Sequence, residues 1–186
     1  MAAPRGLALT LTIVPDDKDW TWVLERRCPE CGFDASTFDA EAVAPLVRAN
    51  AVRWTEILAG APGELRRRPR TDRWAPLEYA CHVRDVFRLF DTRLHLMLEE
   101  DDPLYPNWDQ DATAVDDDYL GQDPGRVGEE LRQAGAALAA SFESVRGVRW
   151  ERRGRRSDGA SFTVATFGRY MIHDPVHHLH DVTGET

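Results

Sequence analysis

Four stretches of the chain place apolar residues at the three-and-four spacing of an amphipathic helix, and the segments between them do not. The first opens after Asp39, a suitable N-cap, and sets Val43, Leu46, Val47, Trp54, Ile57 and Leu58 on one face, with Asn50 as a polar break, before Gly60-Ala61-Pro62-Gly63 ends it. The second starts at Pro76, where proline suits the first helical turn, and runs to about Glu100 with Tyr79, Val83, Val86, Phe90, Leu94 and Met97 as its stripe. The third spans Pro124 to about Val145 and turns Val127, Leu131, Leu138 and Phe142 inward. The fourth begins near Ser161 or Thr163 and continues to about Val182. Four helical segments of similar length predict an all-α fold, an antiparallel four-helix bundle.

The remaining segments read differently. Residues 1–38 show no helical period and contain Pro15, Pro29 and Gly32, which predicts an irregular extension with a short strand at Leu7 to Ile13, set apart from a bundle at 39–186. Between Glu99 and Asp123 stand ten acidic residues and no basic one. A solvated loop accounts for the charge, whereas Tyr105, Trp108 and Tyr119 within it suit a segment that folds back, with Trp108 and Tyr105 as candidate lids. Ser157-Asp158-Gly159 is a turn signal that closes a small hairpin before the last helix. The six arginines from Arg146 to Arg156 read as a solvated rim that offsets the acidic loop.

Composition narrows the function classes. At 186 residues, 42% hydrophobic and 30% charged, the chain suits one globular domain, and no run approaches the roughly 18 apolar residues of a bilayer span, so a membrane partner is not expected. The net charge of −9 repels nucleic-acid phosphates and anionic lipid, which excludes nucleic acid as the expected partner. The apolar run Leu7 to Val14 is short, threonine-rich and followed by Asp16-Asp17-Lys18-Asp19, unlike an export signal, and three cysteines are an odd number. A cytoplasmic location follows, with the cysteines as thiols or metal ligands.

The histidines carry most of the chemical information. His82 lies on the second helix among the buried stripe, while Tyr170, His173, His177 and His180 follow one another at steps of three, four and three on the last helix. A single histidine on an apolar face is usually a hydrogen-bonded core residue. Several on one face would each be costly to bury without partners, and a divalent cation resolves that conflict. His173 and His177, at i and i+4, offer two nitrogens to one point, and His82 would add a third from the neighbouring helix, with one or more positions left open for water or substrate. His178 is expected to point elsewhere, and His95 to lie on the surface.

The segments Trp74-Ala75-Pro76-Leu77-Glu78-Tyr79-Ala80-Cys81-His82-Val83-Arg84-Asp85 and His173-Asp174-Pro175-Val176-His177-His178-Leu179-His180-Asp181-Val182 resemble the DinB superfamily of four-helix bundles with a three-histidine metal site, which includes the mycothiol-dependent maleylpyruvate isomerase type. The resemblance runs from about residue 40 to 183. It implies His82, His173 and His177 as ligands of a divalent metal, zinc first with nickel or iron as alternatives. It also implies a small-molecule substrate, a low-molecular-weight thiol as cosubstrate, and thiol transfer or thiol-dependent isomerisation of a small electrophile. A metal-assisted hydrolase and a non-catalytic metal-binding stress-response module are the alternatives, and a homodimer through helix faces stays open. Pro175 lies between the two ligands of the last helix, and a kink there would bring His180 in as an alternate ligand.

Cys28-Pro29-Glu30-Cys31-Gly32 looks like one zinc knuckle, yet the chain has no second Cys-x-x-Cys to complete it. His178 or His180 would complete a second metal site; a redox dithiol and two buried thiols in a turn are the other readings. Asp174, Asp181 and Asp85 are the carboxylates closest to the histidines in sequence, and Tyr170 is placed to orient a substrate or donate a proton, so Tyr170 and Asp174 are the catalytic candidates.

Overall fold

Each long helix begins where a local group replaces the partners its first amides lack. In the computed structural model, which describes residues 19–185, the helices are α1 (Val43–Leu58), α2 (Pro62–Leu65), α3 (Pro76–Glu99), α4 (Gln110–Asp116), α5 (Pro124–Ser144) and α6 (Val164–Thr183). The strands are β1 (Leu104–Tyr105), β2 (Arg153–Arg156) and β3 (Ser161–Thr163). Asp123 accepts from the Arg126 amide at 2.8 Å and is followed by Pro124, so α5 starts with a cap and a preset φ. Thr163 and Thr166 exchange hydrogen bonds at the start of α6, and Gly184, at φ +72°, takes the left-handed turn that ends it. Glu78 reaches back to the Ala75 amide at 2.8 Å to open α3. The expected cap at Asp39 works through its backbone instead: its carbonyl accepts from Ala42 in a 3-10 turn that precedes α1.

The four long helices are those the spacing predicts, to within a few residues at the first and at most about three at the others. α5 and α6 each pack against both α1 and α3, so the order around the bundle is α1, α5, α3, α6: α1 lies diagonally across from α3 and α5 from α6, while α3 and α5 are neighbours. The predicted stripes face inward: Val43, Val47 and Trp54, then Val83, Leu94 and Met97, then Val127, Leu131, Leu138 and Phe142 are all buried. Gly135 marks a close approach of α5 to α1 and α3, where an added Cβ would sit 2.9 Å from Ala51 and 3.3 Å from the Phe87 ring. The polar break Asn50 is buried and donates from Nδ2 to the Pro175 carbonyl at 2.9 Å, joining α1 to α6. α6 runs through Pro175 as one helix.

The hairpin forms as its turn signal predicts, with β2 and β3 antiparallel and Gly154 opposite Phe162; Gly159 takes φ +101° in the turn. β1 joins them in parallel from the acidic segment, Leu104 opposite Arg155. That segment is thus partly structured, with β1, α4 and a turn at Tyr119–Gly121. The arginine-rich stretch is more than a solvated rim. Arg152 donates to the Met97 carbonyl at 2.6 Å near the C-terminal end of α3, Arg155 pairs with Asp102 at 2.9 Å, and Arg156 turns inward. Residues 19–42 lie as 3-10 turns and loops against α6, with Cys28, Cys31, Phe33 and Ala35 joining the core. The strand expected at Leu7 to Ile13 falls outside the described residues.

Candidate metal centre

Helix α6 presents His173, Asp174, His177 and His178, two i,i+4 pairs offset by one residue. One residue turns a helix by about 100°, so the pairs occupy adjacent faces. The pair Asp174 and His178 faces α3. His82 Nε2 stands 3.2 Å and 3.4 Å from the two Asp174 carboxylate oxygens, His178 Nε2 stands 3.7 Å from Asp174 Oδ1, and one donor atom from each residue lies within 4.8 Å of the others. A tetrahedral ion bound at zinc's usual nitrogen and oxygen distances holds its donors roughly 3.4 Å apart. Two imidazoles and a carboxylate at these separations fit a divalent cation.

The surroundings support that fit. Asp181 Oδ2 lies 3.2 Å from His178 Nδ1, leaving Nε2 for the cluster, and Asp181 Oδ1 receives Arg73 Nη1 at 2.6 Å. A carboxylate behind an imidazole fixes its tautomer and raises its basicity toward a metal. Trp108 stacks on His82 with ring centroids 5.3 Å apart and planes 6° apart, and Trp74 lies 5.3 Å away at a tilt. Burial opposes ionisation of Asp174, but the imidazoles of His82 and His178 outweigh it and hold the carboxyl below its usual range.

The other α6 face meets the N-terminal segment. Cys28, Cys31, His173 and His177 bring their donor atoms within 4.8 Å of one another, with Cys28 Sγ 3.7 Å from His177 Nδ1. The loop closes tightly: Cys28 donates to the Phe33 carbonyl at 2.7 Å, Gly32 donates to the Cys28 carbonyl at 3.0 Å, and Gly32 adopts φ +76°. Burial pushes the Cys31 thiol up to about 11 and His173 down to about 4, the latter also through His177 beside it.

The trio expected from the sequence, His82, His173 and His177, is therefore divided between two clusters. His82 meets Asp174 and His178, because the α6 face turned toward α3 is the one carrying those two. His178, expected to point elsewhere, belongs to the first cluster, and Asp174 stands among its donors. His173 and His177, and neither His178 nor His180, complete the group around Cys28 and Cys31. His180 joins no cluster; its Nδ1 lies 3.1 Å from the Glu185 carbonyl at the helix end. α6 continues through Pro175, and His180 lies beyond both groups of donors, near the helix end. His95 is exposed beside Asp91, as expected.

A cavity of about 780 Å³ opens along the α6 face shared by both clusters, with Asp174 and His178 of the first, His173 and His177 of the second, and Trp108, Arg156 and Tyr170 in its wall. Tyr170 faces it as expected, and its hydroxyl accepts from Arg156 Nη1 at 2.9 Å. Burial raises the Tyr170 pKa against the opposing pull of Arg156, so it stays a phenol. Trp108 fulfils the lid expectation, while Tyr105 is buried over Arg93 and against Phe167, away from the histidines. Glu30, Arg73 and Trp74 were not legible as site residues, since each is brought in from a loop by tertiary packing.

The comparisons agree with this architecture. The family model described as the DinB superfamily matches residues 46–182. No curated protein matches the chain. Among solved structures the fold is similar to that of YfiT from Bacillus subtilis, a probable metal-dependent hydrolase with an unusual four-helix bundle topology. The TM-score is 0.68 at 17% identity, over 79% of this chain and 89% of that one. The family match spans well over half of the sequence and includes α3, α6 and every member of the first cluster: the chain belongs to the DinB superfamily.

Proposed function

We propose that the protein is a metal-dependent enzyme acting on a small molecule, with a divalent cation, zinc first and nickel or iron next, held by His82, Asp174 and His178. The observation that carries this reading is the convergence of three nitrogen and oxygen donors from α3 and α6 beside a cavity of about 780 Å³. Three protein ligands leave a coordination position for chemistry. When bound, such an ion supplies Lewis acidity and lowers the pKa of a water or thiol beside it.

The chain's own residues would do the rest. Tyr170, kept protonated and held through its oxygen by Arg156, is oriented to give a proton to a group bound in the cavity. Arg156, whose Nε is paired with Asp158 at 2.9 Å, has guanidinium donors left over for an acidic substrate group. Trp108 and Trp74 shield the His82 ring from water.

The reaction we favour is thiol transfer or thiol-dependent isomerisation of a small electrophile, with a low-molecular-weight thiol as cosubstrate; it rests on the resemblance between this chain's α3 and α6 motifs and the thiol-using members of the superfamily. A cytoplasmic location belongs to the same reading and is supported by three free cysteines. Among the described residues no helix is long and apolar enough to cross a membrane.

The test is a turnover screen of zinc-loaded protein against small electrophiles, with and without glutathione, cysteine or mycothiol, beside the Asp174→Ala variant. Thiol-dependent turnover that falls at least a hundredfold in the variant supports the proposal. Turnover without thiol moves the assignment to metal-assisted hydrolysis, and turnover untouched by Asp174→Ala refutes the metal centre as the seat of the chemistry.

A further inference from the structure

The cluster of Cys28, Cys31, His173 and His177 has no part in that reading and calls for its own account. Its four side chains are nearly inaccessible, at 1%, 4%, 4% and 7% exposure. Two thiols and two imidazoles with donor atoms all within 4.8 Å form a complete tetrahedral donor set of the soft type that selects zinc. The separation of 3.7 Å from Cys28 Sγ to His177 Nδ1 is longer than a strong hydrogen bond and close to the roughly 3.6 Å between a thiolate and an imidazole on one zinc ion. His173 Nε2 is buried with no hydrogen-bond partner, an orphan that a metal bond would resolve.

The surroundings also suit a cation. The Nε2 atom of His177 lies 3.7 Å from Glu30 and 3.9 Å from Asp181, so carboxylates stand behind the imidazole whose Nδ1 faces Cys28. The Cys28-to-Phe33 loop, closed by the Cys28 amide on the Phe33 carbonyl and with Gly32 in the left-handed region, brings both thiols to one side. Trp20, Trp22 and Phe33 pack around His173 at centroid distances of 5.3, 6.5 and 5.2 Å, which leaves the ring little exposed.

We infer that Cys28, Cys31, His173 and His177 bind a structural zinc ion that staples the N-terminal segment to α6. Binding releases the two thiol protons, and the four protein ligands saturate the ion, which leaves no position for substrate. The staple also serves the neighbouring centre. His173 and His177 precede Asp174 and His178 by one residue, so fixing the first pair fixes the rotation at which the second meets His82. Asp181 stands between the two, 3.2 Å from His178 of the first cluster and 3.9 Å from His177 of the second.

The test uses the full chain, reduced, made metal-free and titrated with cobalt(II). The expected result is a sulfur-to-cobalt charge-transfer band that His82→Ala retains and Cys28→Ser/Cys31→Ser loses, with the double variant also lacking one equivalent of zinc by elemental analysis. Should the double variant fail to fold, wild type decides alone: zinc must slow amide exchange across residues 19–42 at least tenfold where magnesium does not. A wild-type cobalt spectrum without the sulfur band, unchanged exchange on adding zinc, or a Cys28–Cys31 disulfide that persists under reductant overturns the proposal. None of these readouts depends on catalysis, so loss of the staple and loss of the enzymatic reading are separately visible.

Discussion

Asp181 offers a graded test of how the first cluster is held. Its side chain is one-tenth exposed, receives Arg73 Nη1 on Oδ1 at 2.6 Å, and sets Oδ2 3.2 Å from His178 Nδ1. Asp181→Asn keeps the shape but removes the charge. Its one remaining oxygen serves either His178 or Arg73, and because Arg73 is 41% exposed and can turn to water, the oxygen stays with His178. Only the charge assistance is lost, which should weaken metal binding about tenfold, or about 1.4 kcal/mol. Asp181→Ala removes the acceptor altogether, frees the His178 ring to rotate and should cost about a hundredfold, or about 2.7 kcal/mol. The assay is zinc affinity by chelator competition on metal-free protein, read against His82→Ala to isolate this centre. The contact to His177 is 3.9 Å, beyond hydrogen-bond reach, so the sulfur-containing cluster should shift less. If Asp181→Ala binds zinc at the His82 centre within about threefold of wild type, the carboxylate is not supporting His178 and the reasoning fails.

Three further outcomes follow from the packing and the titrations. Glu78 is buried, pairs with Arg68 and accepts from the Ala75 amide, so Glu78→Ala should lower unfolding stability by about 2–3 kcal/mol in urea titrations and Glu78→Gln by about half as much; equal, negligible effects would contradict the pairing. Gly135→Ala drives a methyl against Ala51 and Phe87 and should cost about 1–3 kcal/mol, whereas Gly63→Ala, with nothing within 4 Å, should stay within about 0.5 kcal/mol; calorimetry of both variants checks the contrast. In metal-free protein His173 has its pKa pushed down to about 4 by burial, against about 6.5 unfolded, so between these values only the unfolded chain takes the proton. Stability from this residue is whole above about pH 6.5 and should have fallen by about 2 kcal/mol at pH 5, a loss that His173→Gln abolishes. Urea midpoints at pH 7.5 and 5 that move equally in both proteins would refute the burial argument.

The bundle was legible because the long helices obey one period, and their stripes are the buried faces. The ring order was not, since spacing states which side of a helix is apolar but not which helix covers it. The two candidate donor clusters were half legible for a related reason. Residues 173, 174, 177 and 178 contain two pairs of potential donors, and a rotation of about 100° decides which of them faces His82; spacing favours the two histidines, whereas the structure turns Asp174 and His178 to that side. The same rotation hid the partners of Cys28 and Cys31, which lie about 145 residues away and next to the first cluster. Trp108 was readable as a lid because an aromatic in an acidic segment needs somewhere to pack, whereas Arg73 gave no sign amid an arginine-rich connector.

The most direct measurement is anomalous diffraction at the zinc edge from crystals of the zinc-loaded protein. The account predicts a peak about 2.0–2.2 Å from His82 Nε2, the Asp174 carboxylate and His178 Nε2, facing the cavity. A crystal in which that position is empty while zinc bridges His82 to His173 and His177, or binds only elsewhere, would contradict it.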